Sequence, residues 1–494
     1  MREASLRLTV CLGLVLLVGT SSVSAAYDTL VGYDRLAAEL GSATPDGTGI
    51  AVQHVEGLVT NGGYMPNTGN AELSGKTITN VSGTSSALSW HADRVAWNFY
   101  GNTHSIASGI SQINGYDASN WMASGFLNHG KTTAPQVVND RLANHSWVAG
   151  NSSSDRSILS RIDYVVETDD FLQVAGLDNS RRGYTVLADA FNAITVGVTS
   201  GVHDSGTYAV DALYVANRTR PTLVAPGNYS GDPNAIDTKT SYAAPQVAAA
   251  TAVLLETAAN PALSNGSYLG PRTGRTVHHA ETTEAIKAAL MAGADRAVDN
   301  AFGPDLSDYA VDTANGLSRA YGAGQLNVYN SYRIIAAGEQ DSAEDGNPAD
   351  IGRFGFDYDP AFGGANASNA TASYEFTAGA GHHTLIASLV WNLDVVGGDT
   401  GFSTNATLYN LDLLLYDLDA SGTEPIVASS SLIDNTENLF FELTTGHRYS
   451  MQVAPGIDQG TFEWDYALAW QVTPEPASLV LLVLGTFGLL RRRR

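Results

Sequence analysis

An α/β region built on a parallel sheet with helices on both faces, followed by an all-β sandwich or jelly-roll domain, is the fold class this sequence predicts. Three observations predict it. From about Gly47 to Ala337, nearly continuous apolar strands alternate with helical patterns, as in a sheet covered on both sides. The segment Gln340–Asp350 is acidic and loop-like, a linker by composition. Beyond it helical periodicity vanishes, and short strands recur between Gly, Asp, Asn and Ser turns, the pattern of a sandwich.

Taken in order, Ile50–Val55 reads as a short strand between Gly49 and Gly57. Helical spacing follows at His91–Tyr100. Val137–Val138 opens a second strand before Asn139, Tyr164–Val166 and Phe171–Ala175 bracket an acidic turn, and Ala193–Val198 is β-branched and nearly continuous. Ala243–Ala258 and Thr283–Met291 read as helices. In the second half, Thr384–Val396, Ala406–Tyr416, Ile426–Ser431, Leu439–Leu443, Tyr449–Val453 and Phe462–Val472 read as strands.

Both ends read as processing signals. Residues 1–26 carry Arg2 and Arg7, then an apolar run, then small residues ending in SVSAA, which is the layout of a secretory signal peptide. The other end reads TPEPASLVLLVLGTFGLLRRRR. Its apolar run, Ala477–Leu490, is short for a spanning helix, which needs ~20 residues. Pro474-Glu475-Pro476, this run and the closing arginines together resemble the PEP-CTERM sorting signal of Gram-negative-type bacteria. The resemblance implies recognition by an exosortase, removal of residues 474–494, and export to the surface or extracellular matrix without a stable membrane anchor; an ordinary C-terminal anchor is the alternative. Two parts remain between the signals, 27–340 and 350–473.

The single cysteine, Cys11, falls inside the signal peptide, so disulfides, a thiol nucleophile and thiolate metal sites are excluded from the processed chain. Lys and Arg number 26 against 50 Asp and Glu, a net charge of −24. That balance disfavours nucleic acid as a partner, because the phosphate-contact term is repulsive.

Four stretches carry chemistry. GTGIAVQHVEG (Gly47–Gly57) ends a glycine-rich turn and strand on Glu56. SWHADRVAWNFYG (Ser89–Gly101) opens a helix near His91. VAGLDNS (Val174–Ser180) ends a strand near Asn179. KTSYAAP (Lys239–Pro245) sets Ser241 before a long apolar run. Ser241 alone reads first as a helix N-cap, and a serine there can cap the helix and act as a nucleophile at once. Together, in this order and at these rough separations, the four resemble the subtilisin-like serine peptidases, and the resemblance runs from Gly47 to Ala337.

The resemblance implies a subtilisin-like sheet and a secreted endopeptidase acting on protein or peptide substrates. In it Ser241 is the nucleophile, His91 the base that takes its proton, Glu56 the acid that orients His91, and Asn179 an oxyanion donor. An alcohol needs such a base at neutral pH, and the acid fixes the imidazole tautomer. Asn144-His145-Ser146-Trp147 resembles the edge strand that pairs with bound substrate, which marks Ser146, Trp147 and Val148 as substrate-binding. Pro245 falls at the first turn, where a missing N–H costs little. No cofactor is required for the chemistry.

Three positions depart from the family pattern. Glu56 stands where most members have Asp, although Ser-His-Glu triads serve other hydrolases. Lys239 and Asp178 replace glycines, and an ion pair between them across the pocket would accommodate both. These departures leave open a second reading, a subtilase fold without turnover that binds at the surface or in the matrix. The lead from Ala26 to Gly47 is also short for the family's inhibitory prodomain. In the β-region, Asp412, Asp417, Asp419 and Glu424 offer hard oxygens to a structural Ca²⁺. Their spacing fits no EF-hand loop, so solvated turn carboxylates are the plainer reading and the ion has no assigned site. Trp391, Trp464 and Trp470 are read as core residues over sugar-stacking ones, with a glycan-binding matrix role as a third alternative.

Overall fold

The computed structural model describes residues 28–473, apart from 29, 150–154, 181–185, 228–238, 297–305, 307–308, 348, 364–369, 382–383 and 458–461. Both terminal signals lie outside the described residues. Seven strands form the first sheet: β1 (Ala51–Glu56), β2 (Thr77–Asn80), β3 (Gln112–Asp117), β4 (Leu142–His145), β5 (Leu172–Gly176), β6 (Ile194–Val198) and β7 (Leu223–Ala225). They are all parallel, in the order β2-β3-β1-β4-β5-β6-β7. The order changes direction between β1 and β4. In open parallel sheets a crevice opens at such a point, beyond the carboxyl ends of the strands.

Helices α1 (Tyr33–Leu40), α2 (Trp90–Tyr100), α3 (Asp155–Asp169), α4 (Thr240–Ala258) and α5 (Thr283–Gly293) accompany this sheet, with α4 packed on β4, β5, β6 and β7. A sixth, α6 (Val328–Ala336), completes the region. Helix α4 is apolar on nearly every side and runs through the main core, where Ala243, Val247, Ala250 and Leu254 are wholly buried. A helix apolar all round is stable only when surrounded. Its far end is tied to the loop before β1: Glu256 Oε2 accepts the backbone N–H groups of Asp46 at 2.8 Å and Gly47 at 2.7 Å. The helix that offers Ser241 and the strand that offers Glu56 are thereby locked in one frame.

A small hairpin of β8 (Ser267–Leu269) and β9 (Thr276–His278) precedes α5. The C-terminal region is antiparallel. One sheet takes β10 (Phe354–Gly363), β12 (Thr384–Val390), β17 (Thr436–Glu442) and β19 (Glu463–Thr473), in the order β10-β19-β12-β17. The facing sheet takes β11 (Ala372–Thr377), β15 (Leu411–Asp417), β16 (Val427–Ser429) and β18 (Arg448–Pro455), in the order β11-β18-β15-β16. Trp391 and Trp470 are fully buried between the sheets. A separate hairpin of β13 (Asp394–Gly397) and β14 (Ser403–Thr407) packs Leu393 and Phe402 against the α3 side of the first region. The two regions share a core: Phe356, Tyr358, Val390, Ala467 and Ala469 belong to the same apolar cluster as α4 and α5.

Several sequence expectations are corrected. Val137–Val138 is not a strand: Val137 is 49% exposed, and pairing begins only at Leu142. Between them Asp140 is held by the side chains of Gln53 and Asn114. Tyr164–Val166 lies inside α3, because Ile158, Leu159, Ile162 and Val165 recur at helical spacing and are buried together. The Gln340–Asp350 segment is not a free tether. Gln340 N–H donates to the Phe356 carbonyl at 2.8 Å and Ala343 N–H to that of Ser373 at 2.9 Å, so it lies along both sheets. Strands β10 and β11 escape the sequence reading. In β10, Pro360 sits in a bulge where the register to β19 shifts between Asp359 and Phe362, which breaks the alternation. Asp417 caps its own turn by accepting the Asp419 and Ala420 N–H groups and pairs with His447 Nδ1 at 2.8 Å, while Asp419 accepts the Arg448 N–H.

Candidate active site

Strand β1 ends at the carboxyl edge of the sheet on Glu56, 1% exposed. Period-two alternation sets His54 on the same face as Glu56. Helix α2 starts nearby, with Ser89 as its N-cap: Ser89 Oγ accepts the Ala92 N–H at 3.2 Å. This cap fixes His91 in the first turn, and His91 Nδ1 lies 2.8 Å from Glu56 Oε2. A carboxylate only accepts, so Nδ1 carries the proton and the neutral ring offers Nε2 as a base.

Electrostatics agree with this pairing. Burial pushes the His91 imidazolium toward its neutral form, but the Glu56 charge and hydrogen bond outweigh burial and hold its pKa above the usual histidine value. Burial likewise raises Glu56. The His91 charge and the hydrogen bonds from His54 and His91 overcome it and keep the carboxyl below the usual range. Glu56 is therefore an ionised acid in an apolar setting.

Ser241 enters from α4, and here the sequence expectation needs correcting. It is not the cap. The helix starts one residue earlier, at Thr240, with Lys239 in the N-cap position and no side-chain cap from it. Asn179 caps from the loop after β5 instead: its Oδ1 accepts the Thr240 N–H at 2.9 Å. That bond fixes the carboxamide, so its Nδ2 is the donor left for a ligand. The Ser241 N–H belongs to the first turn of α4, at the positive end of the helix dipole.

Pro245 also falls deeper than expected, in the second turn of α4. It cannot donate to the Ser241 carbonyl four residues back. Ser146 Oγ supplies that donor at 3.0 Å, and Asn144 Nδ2 donates to Ser146 Oγ at 3.0 Å. Ser146, Trp147 and Val148 do not lie on an edge strand. They continue β4, a central strand of the sheet, past its carboxyl end. Ser146 and Trp147 turn inward, the indole donating to His145 Nδ1 at 3.2 Å. Val148 is 48% exposed.

Glu56 thus meets His91, Asn179 meets the start of α4, and the His91 ring lies 6.1 Å from that of Tyr242, the residue after Ser241. Among the described residues no hydrogen bond joins His91 to Ser241; Ser241 Oγ donates to the Ser146 carbonyl at 3.4 Å. Such bonds are commonly long in unliganded sites and tighten with substrate. Lys239 and Asp178 do not pair. Lys239 is exposed, and Asp178 Oδ1 accepts from the Ser180 N–H at 2.7 Å and hydroxyl at 2.5 Å.

Sequence reasoning missed His54 and Tyr100 as parts of the site. The signal was present in the alternation of β1, which puts a second imidazole on the face of Glu56. Tyr100 gave no signal, because its contact spans the fold.

The fold defines a class: a parallel sheet with helices packed on it, carrying a buried carboxylate–imidazole pair at the carboxyl edge of the strands. Among solved structures, the chain is similar to the epidermin leader peptide processing serine protease of Staphylococcus aureus, at 12% identity and TM-score 0.37, covering 64% of this chain and 81% of that one. It is also similar to a cold-adapted subtilisin-like serine proteinase, at 15% identity and TM-score 0.33, covering 57% and 90%. Its similarity to the pre-peptidase C-terminal domain of a Bacillus anthracis collagenase is 13% identity and TM-score 0.18, covering 24% and 91%. No curated protein matches the chain. Residues 472–494 match the PEP-CTERM protein-sorting motif, which implies recognition by exosortase-type machinery and export to the cell surface or beyond. No helix among the described residues is long and apolar enough to cross a membrane.

Proposed function

We propose that the chain is an exported serine endopeptidase, with a peptidase region at 27–340, a β-sandwich at 350–473, and a sorting tail removed during export so that no stable membrane anchor remains. One observation carries this reading: the buried Glu56 carboxylate holds His91 by Nδ1 at 2.8 Å, with the ring of Tyr242, the residue after Ser241, 6.1 Å from that of His91. His91 Nε2 takes the Ser241 proton as the hydroxyl attacks the scissile carbonyl, and later returns it to the leaving amine. Glu56 stabilises the imidazolium in between. Asn179 Nδ2 and the Ser241 N–H receive the oxyanion. Peptides as substrates rest on the four-motif resemblance to subtilisin-like peptidases; the acidic surface argues against nucleic acid.

Labelling the processed protein with a fluorophosphonate tests the reading. Modification at Ser241, lost in Ser241→Ala, supports it; folded protein that stays unlabelled overturns it. A second reading has its own support, since Ser241 Oγ bonds to the Ser146 carbonyl and Lys239 and Asp178 occupy glycine positions. On that reading the fold persists as a surface or matrix binding protein without turnover.

A further inference from the structure

Glu56 is held by two imidazoles, and the mechanism above uses one. His54 Nε2 lies 3.2 Å from Glu56 Oε1, the oxygen that His91 leaves free. On its other side His54 Nδ1 lies 2.7 Å from the Tyr100 hydroxyl. All three side chains are buried. Tyr100 is the last residue of α2, the helix whose first turn carries His91. One helix therefore grips the carboxylate from both ends, directly through His91 and by way of His54 through Tyr100.

Proton counting fixes this arrangement. The carboxylate only accepts, so His54 donates from Nε2, and in the neutral ring Nδ1 accepts the Tyr100 O–H. Burial, then the Glu56 charge, keep the Tyr100 phenol protonated. Each ring is confined to one tautomer, and each Glu56 oxygen has one donor. Without His54, a buried carboxylate oxygen stands unpaired, and the group turns to find a partner or takes up a proton.

We propose that His54 is a positioning residue: by holding Glu56 Oε1 it keeps Oε2 directed at His91 Nδ1. The proposal rests on the reading of His91 as the base. Other titratable groups face this cluster. His145 on β4 is kept neutral by burial, with its pKa pushed down to about 4. Tyr242 on α4 faces the His91 ring, and Asp93 on α2 accepts the Asn67 N–H at 2.6 Å. All three stay in place in the variants below.

The test uses the processed full chain and two readouts: the pH profile of fluorophosphonate labelling, and the pH titration of the His91 ring by ¹H–¹⁵N spectroscopy. In His54→Phe the His91 titration moves to lower pH, toward that of an ordinary histidine, as it loses part of its carboxylate. Labelling slows about ten-fold, the equivalent of one hydrogen bond to a charged group. His54→Gln, whose amide can donate to the same oxygen, recovers most of both losses. Tyr100→Phe, which frees the His54 tautomer and leaves the ring, gives a smaller shift in the same direction and decides the matter if His54→Phe does not fold. An unchanged His91 titration in these variants overturns the proposal, whatever happens to thermal stability. If the wild type does not label, the hydrolase reading fails separately, and the ring titration still decides the role of His54.

Discussion

Ser146 and Ser241 hold each other across the crevice: Ser146 Oγ donates to the Ser241 carbonyl at 3.0 Å, and Ser241 Oγ donates to the Ser146 carbonyl at 3.4 Å. The first bond exists because Pro245 removes the N–H that an ordinary helix would give that carbonyl. Ser146→Ala is therefore expected to leave a buried acceptor unpaired and to cost about 1–3 kcal/mol of stability. In a Pro245→Ala background the substituted residue supplies a backbone N–H, so the same change costs less. Chemical denaturation of the four proteins measures the coupling. Equal costs in the two backgrounds would contradict this account.

The pH dependence of the site follows from the Glu56–His91 pair. His91 must be neutral to accept a proton, and its pKa lies above the usual histidine value, about 6.5. On the proposed mechanism, reactivity of Ser241 is expected to fall away as pH drops through a value above about 6.5. Glu56→Gln removes the charge that raises His91, so the acid limb moves to lower pH. It also offers an amide donor to Nδ1 and favours the wrong tautomer, a change that costs on the order of 10⁴ in rate in the best-studied triad. Labelling rates measured between acid and mildly alkaline pH check both expectations.

Asn179 has two separable jobs. Its Oδ1 caps Thr240, and its Nδ2 is the proposed oxyanion donor. Asn179→Ala removes both, with an expected loss of about 10²–10³ in acylation rate and some helix stability. Asn179→Asp keeps an acceptor for the Thr240 N–H but has no donor. It is expected to melt close to the wild type and still acylate as slowly as Asn179→Ala. Melting curves set beside labelling rates distinguish the two jobs.

The layer architecture is legible in the sequence, while single elements and the contacts between distant segments are less so. Residues at the ends of strands and helices announce themselves by local pattern: Glu56 closes an apolar strand run, His91 follows a Ser cap, and Ser241 precedes an apolar helix. Contacts that depend on two distant segments leave no such mark. Sequence alone gives the α4 cap to Ser241 because a cap is normally adjacent, whereas Asn179 reaches it from the loop after β5. Pro245 hides the Ser146 contact for the same reason, since the missing N–H is local and its replacement is not. Among the elements, the buried strand β6 is plain, but α3 reads as two pieces. Its acidic end, Glu167 to Asp169, looks like a turn, yet Asp169 is buried inside the helix and accepts from Arg272 at 2.7 Å.

Three carboxyl groups meet where the two regions join: Glu167 of α3, Glu284 of α5 and Asp465 of β19 have carboxylate oxygens within 4.8 Å of one another. Burial raises the pKa of each; the neighbouring charges add to this for Glu167 and Glu284, and Asp465 is pushed up to about 6. The folded protein therefore binds more protons here than the unfolded chain, whose carboxyls titrate near about 4. Their contribution to stability is complete below about pH 4 and is lost as pH rises, through about 6 for Asp465 and further above the ordinary carboxylate range for Glu167 and Glu284. Glu284→Gln keeps the acceptor for the Asn392 amide and removes one charge from the group. Its denaturation midpoint is expected to match the wild type in mild acid and to exceed it at mildly alkaline pH, so that its stability falls less steeply as pH rises. Parallel curves for the two proteins would show that these carboxyls are not what weakens the junction at alkaline pH.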